Sequence, residues 1–196
     1  MRNSPISLPS PRKESDVSLE QAIQARRSVR SYLDRPIDEQ TLSQILWAAQ
    51  GLREENGYRN VPSAGALYPL ELFTVSEDGI SHYQPSTHSL VCVQEGDYRP
   101  ALAHAALDQE FIHQASVTIV ITAVPERTAV RYGDERAPRY IDIEVGHAAQ
   151  NLMLQAAALN LGSVAVGAFH DDEVASILKL TKGMVPLYLV PVGYSQ

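Results

Sequence analysis

Residues 140–160 read YIDIEVGHAAQNLMLQAAALN, a stretch long and apolar enough to form the centre of a core. Pro138, just upstream, suits the first turn of a helix, where its missing N–H would lack a partner anyway. Ile141, Val145, Ala148, Ala149, Leu152, Ala156 and Leu159 recur at helical spacing, and Leu154, Ala157 and Ala158 extend the apolar surface almost all round. The spacing predicts a long helix over about 138–160, and a helix apolar on most sides is buried on most sides. Two arrangements satisfy that: the centre of a monomer core, or a helix covered in part by a second copy of the chain. Composition alone does not choose between them.

Working outward, SVTIVITAV (116–124) is a continuous apolar, β-branched run, the pattern of a strand buried on both faces. ELFTVS (71–76) and ISHYQP (80–85) are strand-like and joined through Glu77-Asp78-Gly79, a hairpin signal, and HSLVCVQ (88–94) reads as a third strand. A helix is expected around 97–108. Beyond the long helix, SVAVGAF (163–169) reads as a short strand or extended segment, DDEVASILKL as a capped helix, and PLYLVPVGY (186–194) as the last strand. Near the start, Ser18 and Gln21 form a capping box for a helix to about Arg27, with Leu19, Ala22 and Ile23 as its apolar stripe. A second helix begins after Pro36, is capped by Asp38, carries Leu42, Ile45, Leu46 and Ala49, and stops at Gly51. The loop of about 52–69, holding NGYRN and PSAGALYP, is too long for an ordinary connection and points to binding. Residues 1–17, polar and rich in Pro and Ser, are expected as a flexible arm, leaving 18–196 as a single domain. Two helices, a strand group, then alternating helix and strand imply an α+β fold layered around one central sheet.

The 196 residues, 44% of them hydrophobic, suffice for a real core, since a domain of this size buries roughly 70% of its unfolded surface. The single cysteine, Cys92, excludes an internal disulfide framework, and no Cys/His spacing resembles a metal site. No run reaches about 18 apolar residues, so nothing is expected to span a membrane. The N-terminus lacks the apolar run of a secretory signal, which makes a cytoplasmic protein the expectation. A net charge of −7 argues against nucleic-acid binding. Against that acidic background, Arg26, Arg27 and Arg30 fall within five positions.

Three constellations could carry chemistry. RRSVR (26–30) offers planar guanidinium forks and the Ser28 hydroxyl, a set suited to a phosphate monoester; pairing with Asp34 and Glu20 is the alternative. In PSAGALYP (62–69) the small residues Ser63, Ala64 and Gly65 allow a backbone to approach a flat or charged ligand. Glu144, His147, Gln150 and Asn151 share the long helix, where i, i+3 spacing puts Glu144 beside His147 as an acid–base dyad or a structural pair.

Taken in order, RRSVRSY, VPSAGALYPLEL, the long helix through Ser163, VAVGAF and LYLVPVG resemble the FMN-dependent nitroreductase superfamily over about residues 18–194. PSAGALYP and the E-x-G-H-x-x-Q-N helix are similar to its SagB-type dehydrogenase (azoline oxidase-like) branch. The resemblance implies a mostly antiparallel central sheet flanked by helices, and a homodimer with FMN at the subunit interface. It implies that Arg26, Arg27, Ser28 and Arg30 bind the phosphate and ribityl chain. Pro62, Ser63, Ala64 and Gly65 are then the loop reaching the flavin from the partner subunit. Gln109 is expected near the pyrimidine edge, and Val166, Gly167 and Ala168 beside the isoalloxazine. The implied reaction is hydride or electron-pair transfer between a donor such as NAD(P)H and a small organic acceptor. The azoline oxidase-like members expect a Lys-Tyr pair where this chain has Arg131-Tyr132. Arginine stays protonated and is a poor base, which leaves Tyr132 as the candidate proton relay. An azoline dehydrogenase acting on a peptide and a non-catalytic FMN-binding protein are the alternative readings.

Overall fold

The run at 116–124 forms the middle of a sheet in the computed structural model of the chain, which describes residues 4–53 and 57–195. The sheet comprises β1 (Ile6–Ser7), β2 (Leu70–Ser76), β3 (Gly79–Gln84), β4 (Ser89–Glu95), β5 (Val117–Ala123), β6 (Gly162–Ser163) and β7 (Val185–Gly193). Their order is β1-β4-β3-β2-β5-β7-β6, and every pairing is antiparallel. The helices are α1 (Leu19–Ala25), α2 (Glu39–Gln50), α3 (Arg99–Ala105), α4 (Phe111–Gln114), α5 (Glu126–Tyr132), α6 (Ala137–Ala158) and α7 (Asp171–Ile177). None of the described helices is long and apolar enough to cross a membrane.

β5 is buried at every position, and alternation along it divides the core in two. Val117, Ile119 and Ile121 join Leu70, Leu72 and Val190 beneath Ile45, Leu46 and Ala49 of α2 and Ile141, Val145, Ala148 and Leu152 of α6. Val120, with Phe73, Val75 and Leu189, faces Leu102 of α3, Ile112 of α4 and Val174 of α7. The long helix presents only one face to this core. Ile143 on its other side stays 48% exposed, and Leu19 and Ile23 of α1, which packs on α6, are 63% and 55% exposed. The stripe expected on α1 therefore buries only Ala22.

The helix starts follow the expected chemistry. The Ser18 hydroxyl accepts the Gln21 N–H at 3.2 Å while the Gln21 side chain accepts the Ser18 N–H at 2.7 Å. Ser18→Ala should cost about 1 kcal/mol, read as a lower urea midpoint at unchanged slope. An unchanged midpoint would show that α1 does not depend on its cap. Asp38 Oδ1 accepts the Thr41 N–H at 2.7 Å. Gly51 ends α2 as expected, though not through a left-handed backbone. Its φ is −63°, but a Cβ there would lie 2.2 Å from the Trp47 ring and 2.7 Å from the Trp47 carbonyl oxygen.

Several expectations need correction. The flexible arm is laid down on the domain from Ile6: Ile6 and Ser7 pair with Leu90 and Ser89, Leu8 is buried, and Ser43 Oγ and His88 Nε2 both hold the Pro9 carbonyl. Two helical elements have no counterpart among the expected ones: residues 126–132 form α5 and residues 111–114 form α4. The strand character of 163–169 is confined to Ser163, followed by an isolated bridge between Val166 and Leu189. α7 has no side-chain cap at His170; Asp171, Asp172 and Glu173 in its first turn complement the helix dipole instead.

Candidate functional site

The arginine segment leaves α1 and lies along the edge of the sheet. Ser28 forms a parallel bridge with Ser163, and the Val29 N–H donates to the Ser163 carbonyl at 3.0 Å. Arg26 is half-buried, and Arg27, Ser28 and Arg30 are exposed. Among the described residues no carboxylate pairs with Arg26, Arg27 or Arg30, so the alternative of Asp34 and Glu20 partners is not realised. The Arg30 guanidinium sits 5.9 Å from the centre of the Phe111 ring.

That ring belongs to the turn carrying Gln109, whose Nε2 donates to the Ala106 carbonyl at 2.7 Å and the Ala168 carbonyl at 3.1 Å. Both amide hydrogens are thereby committed, leaving Oε1 as the atom open to a ligand. Val166 is fixed by reciprocal backbone bonds with Leu189, while Gly167 and Ala168 are exposed beyond it. Arg30, Phe111, Gln109 and Val166–Ala168 thus border one another.

The second cluster lies over α6. Ala64–Ala66 form a single 3-10 turn in which Gly65 has φ +62°, and Ala66 (φ 54°) and Tyr68 (φ 48°) are also left-handed, a strained run for residues with side chains. Ser63 Oγ accepts the Tyr68 N–H at 2.9 Å, and His147 Nδ1 lies 3.3 Å from the Pro62 carbonyl oxygen. A Cβ on Gly65 would meet Tyr132 Oη at 3.0 Å and Arg131 Nη1 at 3.1 Å. Gly65→Ala should therefore cost about 1–2 kcal/mol from the left-handed backbone alone, checked by thermal melting; an unshifted melt would show that the loop relaxes freely.

Glu144 is 2% exposed, and its Oε1 has no hydrogen-bond partner. Burial pushes its carboxyl up to about 7, against the Ser63 hydroxyl and the Arg59 charge. Glu144 and His147 do not bond each other; among the described residues His147 alone reaches the loop, at the Pro62 carbonyl. Tyr132, at the end of α5, packs on Tyr140 with ring centres 4.7 Å apart. Among the described residues, no hydrogen bond or ring contact joins this cluster to the arginine segment within one chain.

The sequence reading missed a third group. Glu71 Oε1 takes Arg127 Nη1 at 2.6 Å, and Oε2 takes His82 Nε2 at 2.8 Å. Burial would raise this carboxyl, but the bonds from His82 and Arg127 prevail and hold it below its ordinary value. Arg59 donates to Gln50 Oε1 at 2.5 Å and the Leu70 carbonyl at 2.6 Å. Arg59, Tyr68, Glu71, Gln84 and Arg127 line a cavity of about 410 Å³. A carboxylate inside the apolar run ELFTVS was the available signal.

The model of the nitroreductase family matches residues 23–194. The chain belongs to the nitroreductase family. A protein of Methanocaldococcus jannaschii named as a nitroreductase is 45% identical over 184 residues, 91% of each chain. One of Methanothermobacter thermautotrophicus, named as an NADH dehydrogenase or NAD(P)H nitroreductase, is 25% identical over 186 residues, covering 93% of this chain and 80% of that one. A solved structure from Ralstonia eutropha described as a nitroreductase superposes with a TM-score of 0.89 at 25% identity, covering 98% of this chain and 90% of that one. The nitroreductase fold is therefore the frame for the two clusters, and an oxidoreductase role goes with it.

Proposed function

We propose that this chain is an FMN-dependent oxidoreductase, working as a homodimer and passing electron pairs from a reduced nicotinamide to a small organic acceptor. The observation that carries the reading is the set of arginines Arg26, Arg27 and Arg30, without carboxylate partners among the described residues, in a chain of net charge −7. A phosphate monoester of nearly two negative charges fits that set, and the exposed Gly167–Ala168 backbone beside it fits a flat ring. FMN would supply hydride chemistry at its isoalloxazine.

The chain's own residues then have distinct tasks. Arg26, Arg27, Ser28 and Arg30 neutralise and orient the phosphate and ribityl chain. Val166 anchors the segment to β7 and lies beside the ring, Gly167 and Ala168 offer backbone groups along it, and Gln109 offers Oε1 at its polar edge. Pro62, Ser63, Ala64 and Gly65 reach the ring from the partner subunit, and Tyr132, held against Gly65, carries the proton. The dimer is supported by the exposed Leu19, Ile23 and Ile143 and by a groove of about 400 Å³ lined by Val17, Leu19, Ala22, Trp47, Leu154 and Ala158. Arg131 in place of lysine disfavours the base-assisted azoline chemistry of the SagB-type branch. Substrate choice is assigned to the segments flanking the ring, 126–137, which begins with α5, and 53–60, of which 54–56 lie outside the described residues.

The visible spectrum of purified protein, followed by anaerobic titration with NADH and NADPH, tests this. A flavin spectrum bleached by either donor is expected. Protein that is colourless and takes up no FMN overturns the reading, and flavin that binds but is never bleached replaces it with a non-catalytic FMN-binding role.

A further inference from the structure

Two arginines from different elements, Arg59 of the long loop and Arg127 of α5, line one cavity of about 410 Å³. Leu52, Leu67 and Pro85 give it an apolar wall, and the Arg59 guanidinium stands 5.3 Å from the centre of the Tyr68 ring. Its volume is that of a small-molecule site, which runs from roughly 300 Å³ upward.

Each arginine spends one nitrogen on the protein. Arg59 Nη1 donates to Gln50 Oε1 at 2.5 Å and to the Leu70 carbonyl at 2.6 Å. Arg127 Nη1 donates to Glu71 Oε1 at 2.6 Å and to the Tyr68 carbonyl at 3.1 Å. Both hydrogens of each Nη1 are thereby committed. Among the described residues, no hydrogen bond uses Nε or Nη2 of either side chain. The Nε–H and one Nη2–H run parallel along one edge of a guanidinium, a fork that matches the two oxygens of a carboxylate.

The charge of the cavity favours the same ligand. Gln84 Nε2 donates to His82 Nδ1 at 3.0 Å, so the ring hydrogen sits on Nε2 and donates to Glu71 Oε2 at 2.8 Å. His82 is neutral in that chain of bonds. Glu71 answers Arg127, and no carboxylate among the described residues pairs with Arg59. Two guanidiniums against one carboxylate leave a single positive charge in excess, which a monoanion balances and a dianion overshoots.

We propose that this cavity binds a small monocarboxylate with an apolar body. Its oxygens take the free edges of Arg59 and Arg127, and its body lies against Leu52, Leu67 and Pro85. The proposal does not depend on FMN binding.

Isothermal titration of the full chain with isovalerate tests this, at low salt and about pH 7.5. Isovaleramide serves as the neutral isostere and inorganic phosphate as the dianion. Isovalerate should bind with a dissociation constant on the order of 1 mM or tighter, and the other two at least about tenfold more weakly. Arg59→Lys and Arg127→Lys keep the charge and lose the fork, so each should weaken isovalerate about tenfold. No saturable isovalerate binding overturns the proposal, and so does isovaleramide or phosphate binding as tightly. Unchanged isovalerate affinity in either variant overturns the shared site. If Arg59→Lys fails to fold, Arg127→Lys, whose native side chain is 40% exposed, decides by the same measurement.

Discussion

Arg26→Ala combined with Arg30→Ala is expected to give a folded but colourless protein. Each charge-assisted hydrogen bond to a phosphate contributes about 1.5–3 kcal/mol, so losing two costs about 3–6 kcal/mol. That corresponds to roughly a hundredfold to ten-thousandfold in FMN affinity. Folding should be almost untouched, because Arg30 is exposed, Arg26 is only half-buried, and neither has a carboxylate partner among the described residues. The one aromatic contact given up, Arg30 over Phe111, is worth about 0.5–1 kcal/mol at an exposed site. Riboflavin, which has the ring without the phosphate, separates the causes: its affinity should change little. A double variant with a full flavin complement would remove the phosphate assignment.

The same arginines illustrate what could be read in the chain. Three guanidiniums within five residues of an acidic protein constitute a local composition signal that needs no tertiary information. SVTIVITAV was equally legible, because a strand buried on both faces shows no polar alternation: Val117–Ala123 are buried throughout, with Thr118 and Thr122 as β-branched exceptions to an otherwise apolar run. The capping box at Ser18 and the Asp38 cap are short-range chemistry and appeared where their spacing put them. What escaped depends on contacts distant in sequence. β1 is held by backbone bonds to residues more than eighty positions away, and backbone bonds leave no trace in side-chain pattern. α5 buries only Thr128 and leaves Val130 82% exposed, so ERTAVRY offers no apolar period. The pairing of Glu71 with His82 and Arg127 joins two neighbouring strands and a helix, and only the sheet register brings them together. The long helix was read correctly as a helix but not as one-sided. Its excess of small apolar residues is explained within one chain only over the face that meets α2 and the sheet.

Glu144→Gln is expected to stabilise the protein in alkaline solution and to leave it unchanged in acid. Burial raises the folded-state carboxyl from 4.5 to about 7. A group whose pKa is raised on folding adds stability that is fully present below its unfolded value and is lost as pH climbs through the folded one. The wild type should therefore lose stability between about pH 4.5 and 7, then level off with a carboxylate held in a site that solvates it poorly. The whole shift corresponds to at most about 3 kcal/mol at pH 9. Glutamine has the same shape and no charge to desolvate, so its unfolding curve should coincide with wild type at about pH 4, below the unfolded value, and lie above it by up to that amount at pH 9. Arg59 limits the gain, because its guanidinium, itself depressed chiefly by burial, lies close enough to favour the ionised carboxyl. Urea unfolding at the two pH values, with equal slopes, measures the difference directly. Curves for the two proteins that stay parallel across the range would mean that Glu144 reaches water in solution, and its orphaned oxygen would then have a partner there.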